Sequence, residues 1–477
     1  MKLRQWQKSC INKASKQYLS GNNHFLTLAT PGAGKTLMAS ELANHLLNSN
    51  LIDLVICFSP SSIVSQDFCH SLQSRINHRF DGLLGAKGHS MTYQSLQHLD
   101  GSFWELFTRY RVFVIFDEIH HCAGSNIENA NAWGEQIILN IQGKAKYTLA
   151  LTGTPWRSDA APIVLSKYMN PDGKILCDYV YGLSEALKDN VCRVPQIVAV
   201  DNNHISVIDD DETKTFSSFR SLLSQSSVPY QEIIENEKVI NYIISSAQKK
   251  LAAIRAKNSD AAGLIVASSI EHAKQISKLM NANFNEDAVV VTYRENDPSS
   301  IIQQFRQADS KWIISVGMIS EGTNIPRLQV CCHLTNIKTE MHFRQILGRI
   351  LRMTTSKNQE AILYMPAEAK LLEFAYRVKQ DVPFEADVVQ FEKMKEGDKN
   401  NIDDATVAEA SFGKEGKTRP QIELKLSEDG SFTDHPTFNG KSETVEEHFL
   451  SSSYDKVVNV FGRFRQESIA LGLSELR

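Results

Sequence analysis

The segment Ala29-Thr30-Pro31-Gly32-Ala33-Gly34-Lys35-Thr36 combines the parts needed to grip a chain of phosphates. Glycines let the backbone wrap closely, so successive N–H groups point inward at an anion. The Lys35 amine has the reach for the outer phosphates, and the Thr36 hydroxyl suits a magnesium ion. The strict form of the pattern begins with glycine, where this chain has Ala29. Pro31, Gly32, Ala33 and Gly34 are the expected cradle. A second piece of chemistry stands at the end of Val112-Phe113-Val114-Ile115-Phe116, where the carboxylates Asp117 and Glu118 follow each other. Asp117 suits metal holding, and Glu118 suits orienting and deprotonating a water. Phosphoryl transfer to water needs both parts. The expected cofactors are ATP and Mg2+.

These residues need elements to hold them. Phe25–Ala29 reads as a buried strand, and a helix from Lys35 to about Asn48 follows the glycines. The helix N-terminus adds a field that favours an anion. Strands are expected at 54–59, 111–116 and 147–151, with a helix over 61–74. Apolar strands separated by helices indicate a parallel sheet covered on both faces. The carboxylates then sit at the C-terminal end of a strand, where such sheets bind ligands. The same grammar restarts near 261, with strands at 263–267, 288–292, 312–316, 328–334 and 361–364 and helices over about 268–280 and 298–308. What recurs is a whole α/β domain.

The chain has 477 residues, 42% hydrophobic and 22% charged, with a net charge of −4. A prior of roughly 150 residues per domain suggests about three. The small net charge gives no sign of a nucleic-acid partner and does not exclude a local basic groove. Eight cysteines are scattered without Cys-x-x-Cys spacing, so zinc is not expected and the usage suits a reducing cytosol. No signal-like start and no run of about 18 apolar residues is present, so the expectation is a cytoplasmic protein with no membrane span.

With those motifs in place, the chain resembles the superfamily 2 helicases and translocases of the Asp-Glu-x-His type, over roughly residues 3–366. The resemblance implies two tandem RecA-like parallel-sheet domains with an ATP cleft between them. It places Arg4 and Gln7, within Leu3-Arg4-Gln5-Trp6-Gln7, at the adenine. Ser59-Pro60-Ser61-Ser62-Ile63-Val64-Ser65-Gln66 and Thr92-Tyr93-Gln94-Ser95 look like strand-contacting motifs, which makes Pro60, Ser61, Gln66, Thr92 and Gln94 candidate nucleic-acid contacts. Thr152-Gly153-Thr154-Pro155-Trp156-Arg157 resembles the coupling motif, with His120, Thr152 and Thr154 linking the two sites. Gly317 to Pro326 resembles the fifth motif. It supplies Gly322 and Asn324 toward the nucleotide and Thr323 toward nucleic acid, with Asn324 where the family has Asp. His342 to Arg352 resembles the sixth. Gln345, Arg349 and Arg352, spaced by four and three, are expected on one helix face pointing at the γ-phosphate. Gly348 would let that helix approach closely.

The expected organisation is 1–200 as the first RecA-like domain, 201–235 as a connector and 236–380 as the second RecA-like domain. A polar linker or accessory region over 381–442 and a helical segment over 443–477 follow. The phrasing looks closest to bacterial and phage-borne DNA helicases and the motor subunits of restriction-like systems. That implies ATP-dependent action on nucleic acid, DNA favoured over RNA, in repair or anti-phage processes. No nuclease motif is present, so cutting would need a partner effector, docked through the C-terminal region. An RNA helicase and an ATP-gated sensor or clamp that recruits an effector without processive unwinding are the alternatives. An unrelated phosphate-loop ATPase would lack the second α/β lobe.

Overall fold

The computed structural model describes residues 2–155, 157, 159, 161–169, 174–209, 212–295, 297–317, 324–354, 359–394 and 421–424. Two parallel sheets dominate it. The first has six strands in the spatial order Gly88–Thr92, Leu54–Ser59, Val112–Phe116, Tyr147–Thr152, His24–Ala29 and Tyr179–Tyr181. All neighbours pair in parallel. Alternate residues of each strand enter different cores. Phe25, Val55, Phe113 and Leu149 face one layer, while Leu26, Ile56, Val114 and Ala150 face the other. A sheet covered on both faces has no solvent-facing side, which is why these strands read as unbroken apolar runs.

The second sheet has seven parallel strands in the order Ala288–Val291, Trp312–Ser315, Ala262–Ala267, Leu328–Leu334, Ala361–Pro366, Pro195–Asp201 and Val389–Lys393. The two-domain α/β architecture expected from the sequence is therefore present. Its seams differ from the expected ones. Pro195–Asp201 pairs with Ala361–Pro366, so the second lobe takes the chain from before residue 200. The expected connector folds instead. Ile205–Asp209 and Glu212–Phe216 pair antiparallel, and Gln421–Leu424 adds a third strand to them. The expected polar linker holds two strands, this one and the sheet-edge strand Val389–Lys393. Each is five residues or shorter, too short for periodicity to announce. The expected helical segment 443–477 lies outside the described residues, as do Gly322, Thr323 and Trp156.

The lobes touch where their sheets' C-terminal edges face. Gly348 packs on Pro31, Arg352 packs on Gly32, and the Cys192 thiol lies 3.7 Å from the Pro31 carbonyl oxygen. An ion pair joins Arg306 of the second lobe to Asp67 of the first at 3.3 Å. Among the described residues no helix is long and apolar enough to cross a membrane.

Candidate ATP site

The phosphate loop bridges His24–Ala29 and the helix Lys35–Asn48. Gly32 and Gly34 have φ of +84° and +94°, the left-handed region where side chains are strained. Gly34 caps the helix, so the backbone turns its free N–H groups toward the loop's hollow. Arg4 and Gln7 brace this loop from outside. The Arg4 guanidinium donates to the Ala33 carbonyl at 2.6 Å, and the Gln7 amide donates to the Gly34 carbonyl at 2.9 Å. The Gln7 amide oxygen accepts from the Arg4 backbone N–H at 2.8 Å. One end of that amide thus serves the loop and the other caps the helix Gln5–Leu19, beside any contact to a base.

Asp117 and Glu118 leave the strand Val112–Phe116 directly into the hollow. Glu118 has φ +48°, unusual for a side-chain-bearing residue. Its carboxylate meets Lys35 Nζ at 3.0 Å and accepts from the Gly153 backbone N–H at 3.1 Å. Burial works to raise the Glu118 pKa, but Lys35, His120 and the Gly153 hydrogen bond outweigh it and hold the group ionised. Burial, reinforced by Glu118, pushes Asp117 the other way, above the usual carboxylate range. The Asp117 carboxylate and the Thr36 hydroxyl line the same hollow, a hard-oxygen donor set that fits magnesium. Among the described residues no cluster of three His, Cys, Asp or Glu makes a protein-only metal cage.

The residues expected to couple the two sites also converge. His120 Nδ1 lies 2.9 Å from the Thr152 hydroxyl and 3.5 Å from Glu118, and the Thr154 backbone N–H donates to Thr152 Oγ1 at 3.1 Å. A Cβ on Gly153 would stand 3.1 Å from Lys35 Nζ, so the glycine leaves that amine room.

Lobe two closes the site. Gln345 and Arg349 belong to the helix Glu340–Ile350, but Arg352 does not. The helix stops at Ile350, and Arg352 is extended, in an isolated bridge with Cys192. The expectation of one helix face is corrected there, although the three side chains still line one cleft. Arg352 donates to Asn324 Oδ1. Its pKa is pushed down to about 9 by burial first and then by Arg349 and Arg306, a repulsion that Asp67 partly offsets. Arg344, next to Gln345 in the chain, is held by Glu340 and Asp381 in ion pairs of 2.9 and 2.6 Å and does not line this cleft. The cleft between the lobes measures about 600 Å³. It is lined by Lys35, Thr36, Asp117 and Glu118 from one side and Asn324, Gln345, Arg349 and Arg352 from the other.

The candidate nucleic-acid contacts lie on the first sheet's C-terminal edge. Ser59 and Thr92 are register partners, so their following loops are neighbours, and the Gln94 amide lies 3.4 Å from the Pro60 carbonyl. Ser61 caps the helix Ser62–Ile76 by accepting from Val64 N–H, and Gln66 is exposed one turn on. Asp67 and Arg306 went unnoticed in the sequence, because nothing local marks an ion pair between residues so far apart.

Comparison with known proteins fits this geometry. The type III restriction enzyme res subunit family matches residues 1–157, and the helicase conserved C-terminal domain matches residues 244–354. The chain belongs to the superfamily 2 helicases and translocases. Its relatives include uncharacterized protein Rv2917 of Mycobacterium tuberculosis, 29% identical over 394 residues, 78% of this chain and 62% of that one. The chain thus spans under two thirds of that relative's length. The DNA 3'-5' translocase XPB2 of Sulfurisphaera tokodaii is 24% identical over 74% of this chain and 79% of its own. Among solved structures, a fragment described as an HsdR subunit of a type I restriction enzyme from Vibrio vulnificus superposes with a TM-score of 0.57. It is 15% identical, over 82% of this chain and 68% of that one. The type ISP restriction-modification enzyme LlaBIII bound to DNA gives 0.54 at 12% identity, over 84% and 32%. At those identities the likeness is one of fold.

Proposed function

We propose that this superfamily 2 member is an ATP-driven translocase or helicase acting on DNA, with Mg2+ at Thr36 and Asp117. The observation that carries the reading is the split cleft. The phosphate loop and acidic pair come from one lobe and Arg349 and Arg352 from the other, so the site is complete only when both lobes meet. The loop's N–H groups and Lys35 hold the triphosphate. Lys35 now pairs with Glu118. A bound phosphate competes for that amine, which leaves Glu118 free to orient a water and take its proton. Arg349 and Arg352 offset the charge that develops on the transferred group, a role worth about 10³–10⁵ in rate in related sites. The magnesium ion, when bound, neutralises charge on the outer phosphates.

Nucleic acid lies across both lobes, gripped by its backbone at Pro60, Ser61, Gln66, Thr92 and Gln94 and, in lobe two, Thr323. DNA is favoured because the translocase relative is named for DNA and the matching family for restriction. A nuclease partner docked through residues 381–477 would complete a restriction-like or repair assembly. The test compares ATPase stimulation by single-stranded DNA, duplex DNA and RNA at stated salt, then triplex displacement on duplex DNA and strand displacement on tailed duplexes. DNA-stimulated hydrolysis with movement is expected, and Lys35→Ala should abolish both. Full ATPase activity in Lys35→Ala would refute the site. Stimulated hydrolysis with neither displacement would make the protein a gated clamp instead.

A further inference from the structure

One helix, Ser62–Ile76, touches everything a motor has to connect. Its N-terminus carries Ser61 and the exposed Gln66, the expected nucleic-acid contacts. The opposite end grips the phosphate-loop helix. The Ser71 hydroxyl lies 2.8 Å from the Ser40 hydroxyl, which donates to the Thr36 carbonyl at 2.9 Å, and Arg75 pairs with Glu41. Between these ends, Asp67 reaches across to Arg306 at the end of the lobe-two helix Pro298–Gln307. Asp67, Ser71 and Arg75 recur at four-residue spacing and so share a face, the one that lines the nucleotide cleft. A helix moves as a rod. A shift imposed at Gln66 is therefore delivered at once to Thr36 and to the lobe boundary.

We propose that the Asp67–Arg306 pair is the inter-lobe latch through which nucleic acid on the start of this helix sets the rate of ATP turnover. The inference rests on the motor reading above. Asp67 and Arg306 are positioning residues. They hold the lobes in the arrangement in which Arg349 and Arg352 face the phosphate loop, and they touch no reacting atom. Both side chains are partly exposed, at 36% and 24%. Such pairs are weak and screened by salt. Weakness suits a contact that must open and remake in every cycle. The crowding of Arg306, Arg349 and Arg352 gives Asp67 a second effect. It offsets part of the repulsion among those three cations.

The experiment is a charge-reversal cycle on the full chain: D67R, R306D and D67R/R306D, with the neutral pair D67N and R306Q as a second set. The readout is the ratio of DNA-stimulated to basal ATPase rate. The expected result is a fall of at least fivefold in that ratio for each reversal and a smaller fall for each neutral variant. The double reversal should return to within about twofold of the parent, since the pair is remade with its ends exchanged. Raising salt should lower the parent's ratio toward that of D67N more than it lowers the ratio of D67N itself. A parent stimulated by DNA whose reversals are stimulated equally overturns the latch and leaves the motor reading standing. So does a double reversal no better than the singles while both neutral variants keep the parent's ratio. A parent that hydrolyses no ATP overturns the motor reading itself, and the latch with it.

Discussion

Gly348 of lobe two lies so close to Pro31 of lobe one that a Cβ on Gly348 would stand 2.5 Å from the Pro31 Cβ. No other residue type fits without moving a lobe. The glycine sits inside the helix Glu340–Ile350, where it costs about 1 kcal/mol of helix propensity relative to alanine. The contact it permits sets Arg349 against the phosphate loop.

Gly348→Ala therefore separates two properties that usually move together. Alanine strengthens the helix, so the melting temperature should stay level or rise by a few degrees. The new methyl pushes the lobes apart, so the ATPase rate should fall tenfold or more. Thermal melts followed by steady-state ATPase measurements decide it. Undiminished ATPase would mean that the close approach has no part in catalysis.

Glu118→Gln tests the base. Glutamine keeps the volume and still accepts from the Gly153 N–H, now at 3.1 Å from the Glu118 carboxylate. It loses the charge that pairs with Lys35 at 3.0 Å. Hydrolysis should fall by about 10²–10⁴-fold, the usual worth of a positioned base. Nucleotide should bind at least as tightly, because Lys35 no longer has a rival anion. Single-turnover hydrolysis and titration with a fluorescent nucleotide separate the effects. Parallel loss of both would point to a collapsed loop.

How much of this was legible depended on whether the chemistry was local. The phosphate loop and the acidic pair are contiguous, with their strands and helices written in unbroken apolar runs beside them, and the structure places them as the sequence suggested. Arg352 was read onto a helix because its spacing from Arg349 fits one. The chain instead ends the helix at Ile350 and pairs Arg352 with Cys192, a long-range bridge that no periodicity encodes. Pro195–Asp201 lies in a stretch of mixed patterns and carries no mark of which sheet it joins. Asp67 and Arg306 are ordinary helix-surface charges until the lobes are brought together.

Arg193 predicts a stability effect without a role in chemistry. It is 1% exposed and donates to the carbonyls of Leu328 at 2.7 Å and Ile350 at 3.0 Å, and to the Gln359 amide oxygen at 3.0 Å. Burial lowers its pKa to about 10, so it stays charged at neutral pH. The fork ties the segment leaving lobe one to the end of the arginine helix. Arg193→Ala leaves several buried acceptors unmatched and should cost about 3 kcal/mol or more. Arg193→Lys, with one ammonium in place of a planar fork, should recover only part of that. Urea unfolding measures it, and a loss below about 1 kcal/mol would show that water replaces the fork.

Acid should destabilise the fold through the half-buried His24 and the buried His333. Burial lowers His24 to about 4, and burial with help from His342 lowers His333 to about 3. In the unfolded chain both sit near 6.5. Between those values the unfolded state binds protons that the folded state refuses, so stability rises with pH across the window. The contribution is whole above about pH 7 and drains away as pH falls from 6.5 toward 4. At about 1.4 kcal/mol per unit, His24 alone accounts for roughly 3 kcal/mol over that range. His24 Nδ1 lies 2.8 Å from the Thr148 hydroxyl, a contact an asparagine amide can imitate. His24→Asn should therefore cost little at pH 7.5 and flatten the slope of stability against pH by close to one proton between pH 6 and 5. His333→Gln should flatten it in the same sense. Urea midpoints at pH 7.5, 6 and 5 give the slopes, and a slope unchanged in both variants would assign the acid sensitivity to other groups.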